Sequence, residues 1–134
     1  MLYMLDTDIS SYIIKGGYGV VERHMRATVS NDLCISSVTR AELIYGLKLL
    51  PPRHRLHATV HHYLKTIVTL SWDAETADFH AEIKHQLKTA GTLIGEMDML
   101  IAAHAIAADA VLVTNNVRHF KRIKLPLMMA NWMK

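Results

Sequence analysis

Short apolar runs, each too brief for a helix, recur between helical segments along this chain, and that alternation leaves few folds open. Residues 2–5, 33–36, 67–72 and 111–114 read as strands. Runs that are apolar at consecutive positions fit strands buried on both faces, as in a parallel sheet covered by helices. The intervening segments carry helical signals. Residues 9–14 form a short helix stopped by Gly16 and Gly17, and residues 18–28 have helical spacing at Val20, Val21 and Met25. Ser36, Ser37 and Thr39 are candidate caps for a helix over 40–50, which Pro51 and Pro52 end. Residues 53–66 follow as another helix. Asp73 caps one that runs to about Ala90, where Gly91 closes it. Residues 96–108 are apolar almost all round, which predicts a central, buried helix. A last extended piece spans 123–129, and Pro126, with no N–H to donate, assigns it to a sheet edge. Strands alternating with helices predict an α/β fold of three layers around a parallel sheet.

At 134 residues the chain is expected to form one domain, 1–134, with an adequate core. No repeat, low-complexity segment or Pro/Gly-rich linker divides it. A net charge of +3 and a pI near 9.1 agree with a nucleic-acid partner, as with many small basic domains. The single cysteine, Cys34, excludes an internal disulfide and lies in an apolar run, as a small core residue does. Asp6 and Asp8 fall among the first ten residues without a leading basic cluster, which argues against a signal peptide. The longest apolar stretch, 99–113, is interrupted by His104 and Asp109 and is too short and too polar to span a bilayer. A cytoplasmic, soluble protein with no membrane association is the expectation.

Three carboxylates stand in unusual surroundings. The first apolar run stops at Asp6, which places this acid at the C-terminal end of a strand, where open parallel α/β sheets bind ligands. Asp6 is equally suited to capping the helix that Thr7, Asp8 and Ser10 begin. Glu42 lies in TRAELIYGL, and with Thr39 it matches a capping box. Asp98 opens MDMLIAAHAIA, where a negative charge also suits the helix dipole. A carboxylate near the start of a buried helix nonetheless needs a partner or a metal. The run VLVT carries Thr114, Asn115 and Asn116 to the sheet edge that receives Asp6. If those two strands are neighbours where the strand order reverses, their ends share one crevice. Acids gathered there require a counter-charge. A hard-oxygen ligand set without zinc-like Cys/His spacing suits magnesium or manganese.

The chain has nine histidines, but they form no evident metal site. His57 and His61 share a helix face in a basic segment and read as solvated surface. His104 reads as a hydrogen-bonded core residue. Arg118, His119, Lys121, Arg122 and Lys124 follow Asn116 closely. A basic rim beside an acidic pocket is what a metal nuclease needs, since the rim attracts phosphates. A solvated charge run accounts for the same residues.

These pieces together resemble the PIN-domain ribonucleases, and in particular the VapC toxins of bacterial toxin–antitoxin pairs. The matching segments are MLDTDIS, ISSVTRAELIYG, DMLIAAHA and LVTNNVRHF, in family order over nearly the whole chain. The resemblance implies a Rossmann-like PIN domain with a sheet of about five parallel strands. It further implies a divalent metal, cleavage of RNA phosphodiesters, a homodimer and a tight complex with a VapB-type antitoxin. Asp6, Glu42 and Asp98 fall on the family's acidic site. Asn116 falls where many relatives have a fourth acid, while others place it later, where this chain has His119. Glu96 is an extra carboxylate that could substitute, and Thr114 matches a small hydroxyl residue often found near that site.

The expected function is therefore a magnesium-dependent endoribonuclease toxin acting on structured RNA, tRNA or rRNA. Asp6 and Asp98 would hold the ion, Glu42 would act near it or through water, and Asn116 would orient a water or the phosphate, with Asn115 adjacent. Arg118, Lys121 and Arg122 would bind RNA. Two other classes compete. MLDTD also resembles the start of haloacid-dehalogenase-like phosphatases, with Asp6 as nucleophile and Asp8 as acid, but the late strand ends in Asn115 and Asn116 where that family needs acids. A non-catalytic RNA binder on the same fold is the other.

Overall fold

The computed structural model describes residues 1–134. Its centre is a parallel sheet of five strands: β1 (Leu2–Leu5), β2 (Leu33–Ser36), β3 (Val68–Leu70), β4 (Ala110–Val113) and β5 (Met128–Ala130). The spatial order is β3-β2-β1-β4-β5. β1 pairs with β2 through Met4 and Cys34 and with β4 through Leu5 and Val113. The chain thus winds outward in one direction through β1, β2 and β3, then crosses to the other side of β1 for β4. The reversal lies between β1 and β4, the position at which an open parallel sheet of this kind leaves a crevice at the strands' C-terminal ends.

The period of two along each strand sorts the core into two faces. Met4, Cys34 and Leu112 pack with Ile83, Leu87, Met99 and Ile101. Their neighbours Leu5, Ile35 and Val113 pack with Ile9, Leu43, Val60 and Tyr63 on the opposite side. Helices α5 (Ala74–Thr89) and α6 (Glu96–Ala107) cover the first face. Helices α1 (Thr7–Lys15), α2 (Gly19–Ala27), α3 (Ser37–Lys48) and α4 (Leu56–Thr66) cover the second. The three-layer parallel α/β architecture expected from the alternation is the one observed.

Boundaries differ where a cap acts earlier than periodicity suggests. α1 begins at Thr7 because the Asp6 carboxylate accepts from the Ile9 N–H at 2.9 Å. α3 begins at Ser37 because the Ser36 hydroxyl accepts from the Val38 N–H at 3.1 Å. α4 starts only at Leu56, since residues 51–55 form turns after the two prolines. β5 is displaced toward the C-terminus of the expected 123–129 piece, and it does occupy an edge. Pro126 and a tight turn closed by Leu127 N–H to Leu125 O precede it. A short helix, α7 (Val117–Phe120), had no sequence signal, because four residues are too few to display a period. No helix is long and apolar enough to cross a membrane.

Candidate active site

Asp6 lies at the β1–α1 junction, on the strand side of the crevice. Its N–H donates to the Val113 carbonyl at 3.0 Å, which continues the β1–β4 ladder one residue past the strands and aligns Asp6 with Thr114. Only 4% of Asp6 is exposed. Burial pushes its carboxyl up from the ordinary 3.8 to about 6, against the stabilising Thr114 hydroxyl and Ile9 N–H, and the charges of Asp8 and Asp98 push the same way as burial. One oxygen of Asp6 caps α1, and the group still feels the charges of Asp8 and Asp98.

Asp98 sits in the first turn of α6, half-buried. Its carboxyl is raised by burial first, then by the charges of Asp8 and Glu42, while His119 opposes the shift. Asp6, Asp8, Glu42 and Asp98 therefore form one electrostatically coupled group drawn from α1, α3 and α6. None of the four has a cationic partner, since the ion pairs in the protein are His80–Glu96 and Lys84–Glu96.

Glu42 does not close a capping box. Ser36 is the N-cap of α3, so the box position three residues into the helix is Thr39, and Glu42 lies nearly a turn beyond it. Its carboxylate instead accepts from the Thr7 hydroxyl at 2.6 Å, and that hydroxyl lies 3.2 Å from Thr39 Oγ1. A short bond to a carboxylate is a strong, charge-assisted one. It fixes Glu42 against the first turn of α1, one residue from Asp6.

Beside Asp6, Thr114 Oγ1 accepts from the Asn116 N–H at 2.9 Å, and Asn116 Nδ2 lies 2.8 Å from His119 Nδ1. Asn116 is thus coupled to the histidine that Asp98 feels. Glu96, the candidate substitute acid, lies half-exposed between His80 (3.0 Å) and Lys84 (3.3 Å), so its charge is already matched on α5. Asp8, which the sequence offers as a helix starter and as the acid of the phosphatase alternative, joins this group as well. It stands two residues from Asp6 in the chain, whereas its effect on Asp98 comes from the fold. The basic run divides: Arg118 and Lys121 border a polar hollow, whereas Arg122 donates to the Leu93 carbonyl at 3.4 Å.

The donor set fits a hard divalent cation. All four groups are carboxylates that repel one another, and none forms an ion pair, with His119 alone acting against the charge of Asp98. No three acidic or histidine side chains cluster closely enough to cage an ion unaided.

A family model described as the PIN domain matches residues 3–125. The chain is 35% identical to ribonuclease VapC2 of Rickettsia felis over 135 aligned residues, covering all of both chains. It is 37% identical over 122 residues to the tRNA(fMet)-specific endonuclease VapC of Salmonella typhimurium, covering 90% of this chain and 91% of that protein. Among solved structures, VapBC2 from Rickettsia felis bound to a DNA fragment from their promoter superposes with a TM-score of 0.89 at 33% identity, covering 98% of this chain and 99% of that one.

Proposed function

The chain belongs to the PIN-domain family and within it to the VapC ribonucleases, and from that premise we propose that it is a magnesium-dependent endoribonuclease toxin. The observation that carries this reading is the group of four coupled carboxylates without a counter-cation, at the β1–β4 reversal of a chain similar end to end to a ribonuclease. Asp6 and Asp98 would hold the ion, manganese being a possible replacement, and Glu42 would act through a water. The ion's chemistry is to acidify a bound water and offset phosphate charge. The chain's own residues do the rest. The Thr7 hydroxyl locks Glu42 in place as an acceptor for a water proton. Thr114 supports Asp6. Asn116, oriented by Thr114 and His119, presents an amide to the attacking water or the scissile phosphate. Because water rather than the ribose 2′-hydroxyl attacks, the products carry a 5′-phosphate and a 3′-hydroxyl.

The relatives' names make tRNA the first substrate class to test, with rRNA the alternative. They also make a VapB-type antitoxin the expected inhibitor, of a homodimer acting in the cytoplasm. The experiment is incubation of purified protein with total tRNA and with ribosomes, with magnesium, with manganese and with chelator, followed by sequencing of the ends. Ion-dependent cuts with 5′-phosphate ends, suppressed by the antitoxin, support the proposal. Cuts that persist in chelator, or that leave 2′,3′-cyclic ends, overturn it.

A further inference from the structure

The basic run after Asn116 is split by the phase of α7. Residues three apart share a helix face, so Arg118 and Lys121 look one way while His119 and Arg122 look another. His119 faces Asn116, and Arg122 caps the Leu93 carbonyl. Arg118 and Lys121 instead border a hollow of about 520 Å³ completed by Asn115, Asn131 and Lys134. The charged side chains that line it are all cationic, and none of the three forms an ion pair, since both pairs in the protein involve Glu96. The amides are held in place: Asn131 Nδ2 donates to Asn115 Oδ1 at 3.2 Å, and the Met133 N–H donates to Asn131 Oδ1 at 2.9 Å. That bond uses the oxygen of Asn115 and leaves its amide nitrogen available as a donor.

We propose that this hollow is a phosphate-binding subsite for the RNA strand, beside the acid cluster. The inference rests on the reading of the protein as a ribonuclease. Four uncompensated carboxylates repel a polyanion, so productive binding needs positive charge that is near the site but not consumed by it. Arg118, Lys121 and Lys134 supply it. Amide donors and cations contact phosphate oxygens without reading bases, which sets the register of a strand and not its sequence. Asn115 belongs to the hollow and Asn116 to the catalytic crevice, so the β4–α7 turn links the two. A phosphate held at the first fixes where the next phosphodiester meets the second.

The test is binding of a fluorescein-labelled single-stranded oligoribonucleotide in chelator, over a series of salt concentrations, with cleavage kinetics in magnesium. Arg118→Ala, Lys121→Ala and Lys134→Ala are each expected to weaken binding several-fold. Each should lower the log–log salt slope by about 0.7, and the triple variant by about 2, while raising KM more than it changes kcat. Lys88→Ala, an exposed cation on α5, serves as the charge-matched control and leaves both unchanged. All four side chains are exposed, and thermal melting confirms that each variant folds. If wild-type protein binds RNA and the triple variant keeps its affinity and slope, the hollow is not a phosphate subsite, though the ribonuclease reading stands. If the triple variant loses affinity only for an acidic antitoxin peptide, the hollow is a protein contact and the proposal fails. If wild-type protein neither binds nor cleaves RNA, the ribonuclease reading itself fails, and the subsite with it.

Discussion

Replacing Asp6 by asparagine separates the cost of burying its charge from the use the protein makes of it. With 4% exposure and a pKa raised from 3.8 to about 6, the metal-free protein holds the Asp6 proton more tightly than its unfolded chain does. The sign follows: below pH 3.8 both states are protonated and the fold carries no penalty, and as pH rises through about 6 the stability is lost. The loss at neutral pH is ~3 kcal/mol, at about 1.4 kcal/mol per pH unit of displacement. Asparagine keeps the oxygen that caps the Ile9 N–H, caps as well as aspartate, and never ionises. In chelator at pH 7.5, Asp6→Asn should therefore melt higher than wild type by on the order of 10 °C, taking about 2.1 cal/mol/K of unfolding entropy per residue. The two should converge near pH 4. Divalent ion should raise the wild-type midpoint and not the variant's, and RNA cleavage should vanish in the variant. The assay is thermal unfolding by circular dichroism from pH 4 to 8, with and without magnesium. A difference between the two proteins that does not change with pH would refute the reasoning, because it would mean that Asp6 is not paying a desolvation cost in the folded state.

Glu42→Gln should leave the melting temperature within about 2 °C of wild type while lowering kcat 100-fold or more, whereas Ser36→Ala, which removes the true cap of α3, should cost about 1 kcal/mol or more on denaturant unfolding. His104 is held below its ordinary 6.5 by burial, against the opposing charge of Asp73 and a bond to the Ser71 backbone, and its Nδ1 lies 2.7 Å from Ser36 Oγ. A lowered folded pKa means that its contribution is present above 6.5 and is lost as pH falls through the folded value. From pH 7.5 to 5 the protonation of Asp6 works in the opposite direction, so the readout is the difference: the stability of wild type relative to His104→Gln should fall as pH falls. Asn116→Asp adds a fifth carboxylate, beside His119, and should tighten magnesium binding in a calorimetric titration and enlarge the magnesium-dependent shift in melting. If it changes neither, Asn116 lies outside the ion's reach, and Asp8 rather than the ion-paired Glu96 becomes the next candidate.

The sequence displays what is encoded locally and hides what is encoded by contact. Short apolar runs reveal strands because a parallel sheet buries both faces, and Asp6 is conspicuous because it ends such a run. The alternation of Met4 and Leu5 onto opposite cores follows from the same period. Glu42 defeats local reading because a capping box depends on where the cap falls. β2 ends at Ser36, three residues earlier than a box with Glu42 needs, and only then does Glu42 become free for Thr7, 35 positions away. Asp8 looks like an ordinary first-turn acid until α6 brings Asp98 beside it. Arg122 looks like its neighbours until the single turn of α7 rotates it toward Leu93. In each case what decides is a charge, a donor or an acceptor delivered from elsewhere in the fold. The parallel crossovers that carry β1, β2 and β4 to one edge are what bring the four acids together, and a substitution that shifts the β1–β4 register would disperse them while leaving each local motif intact.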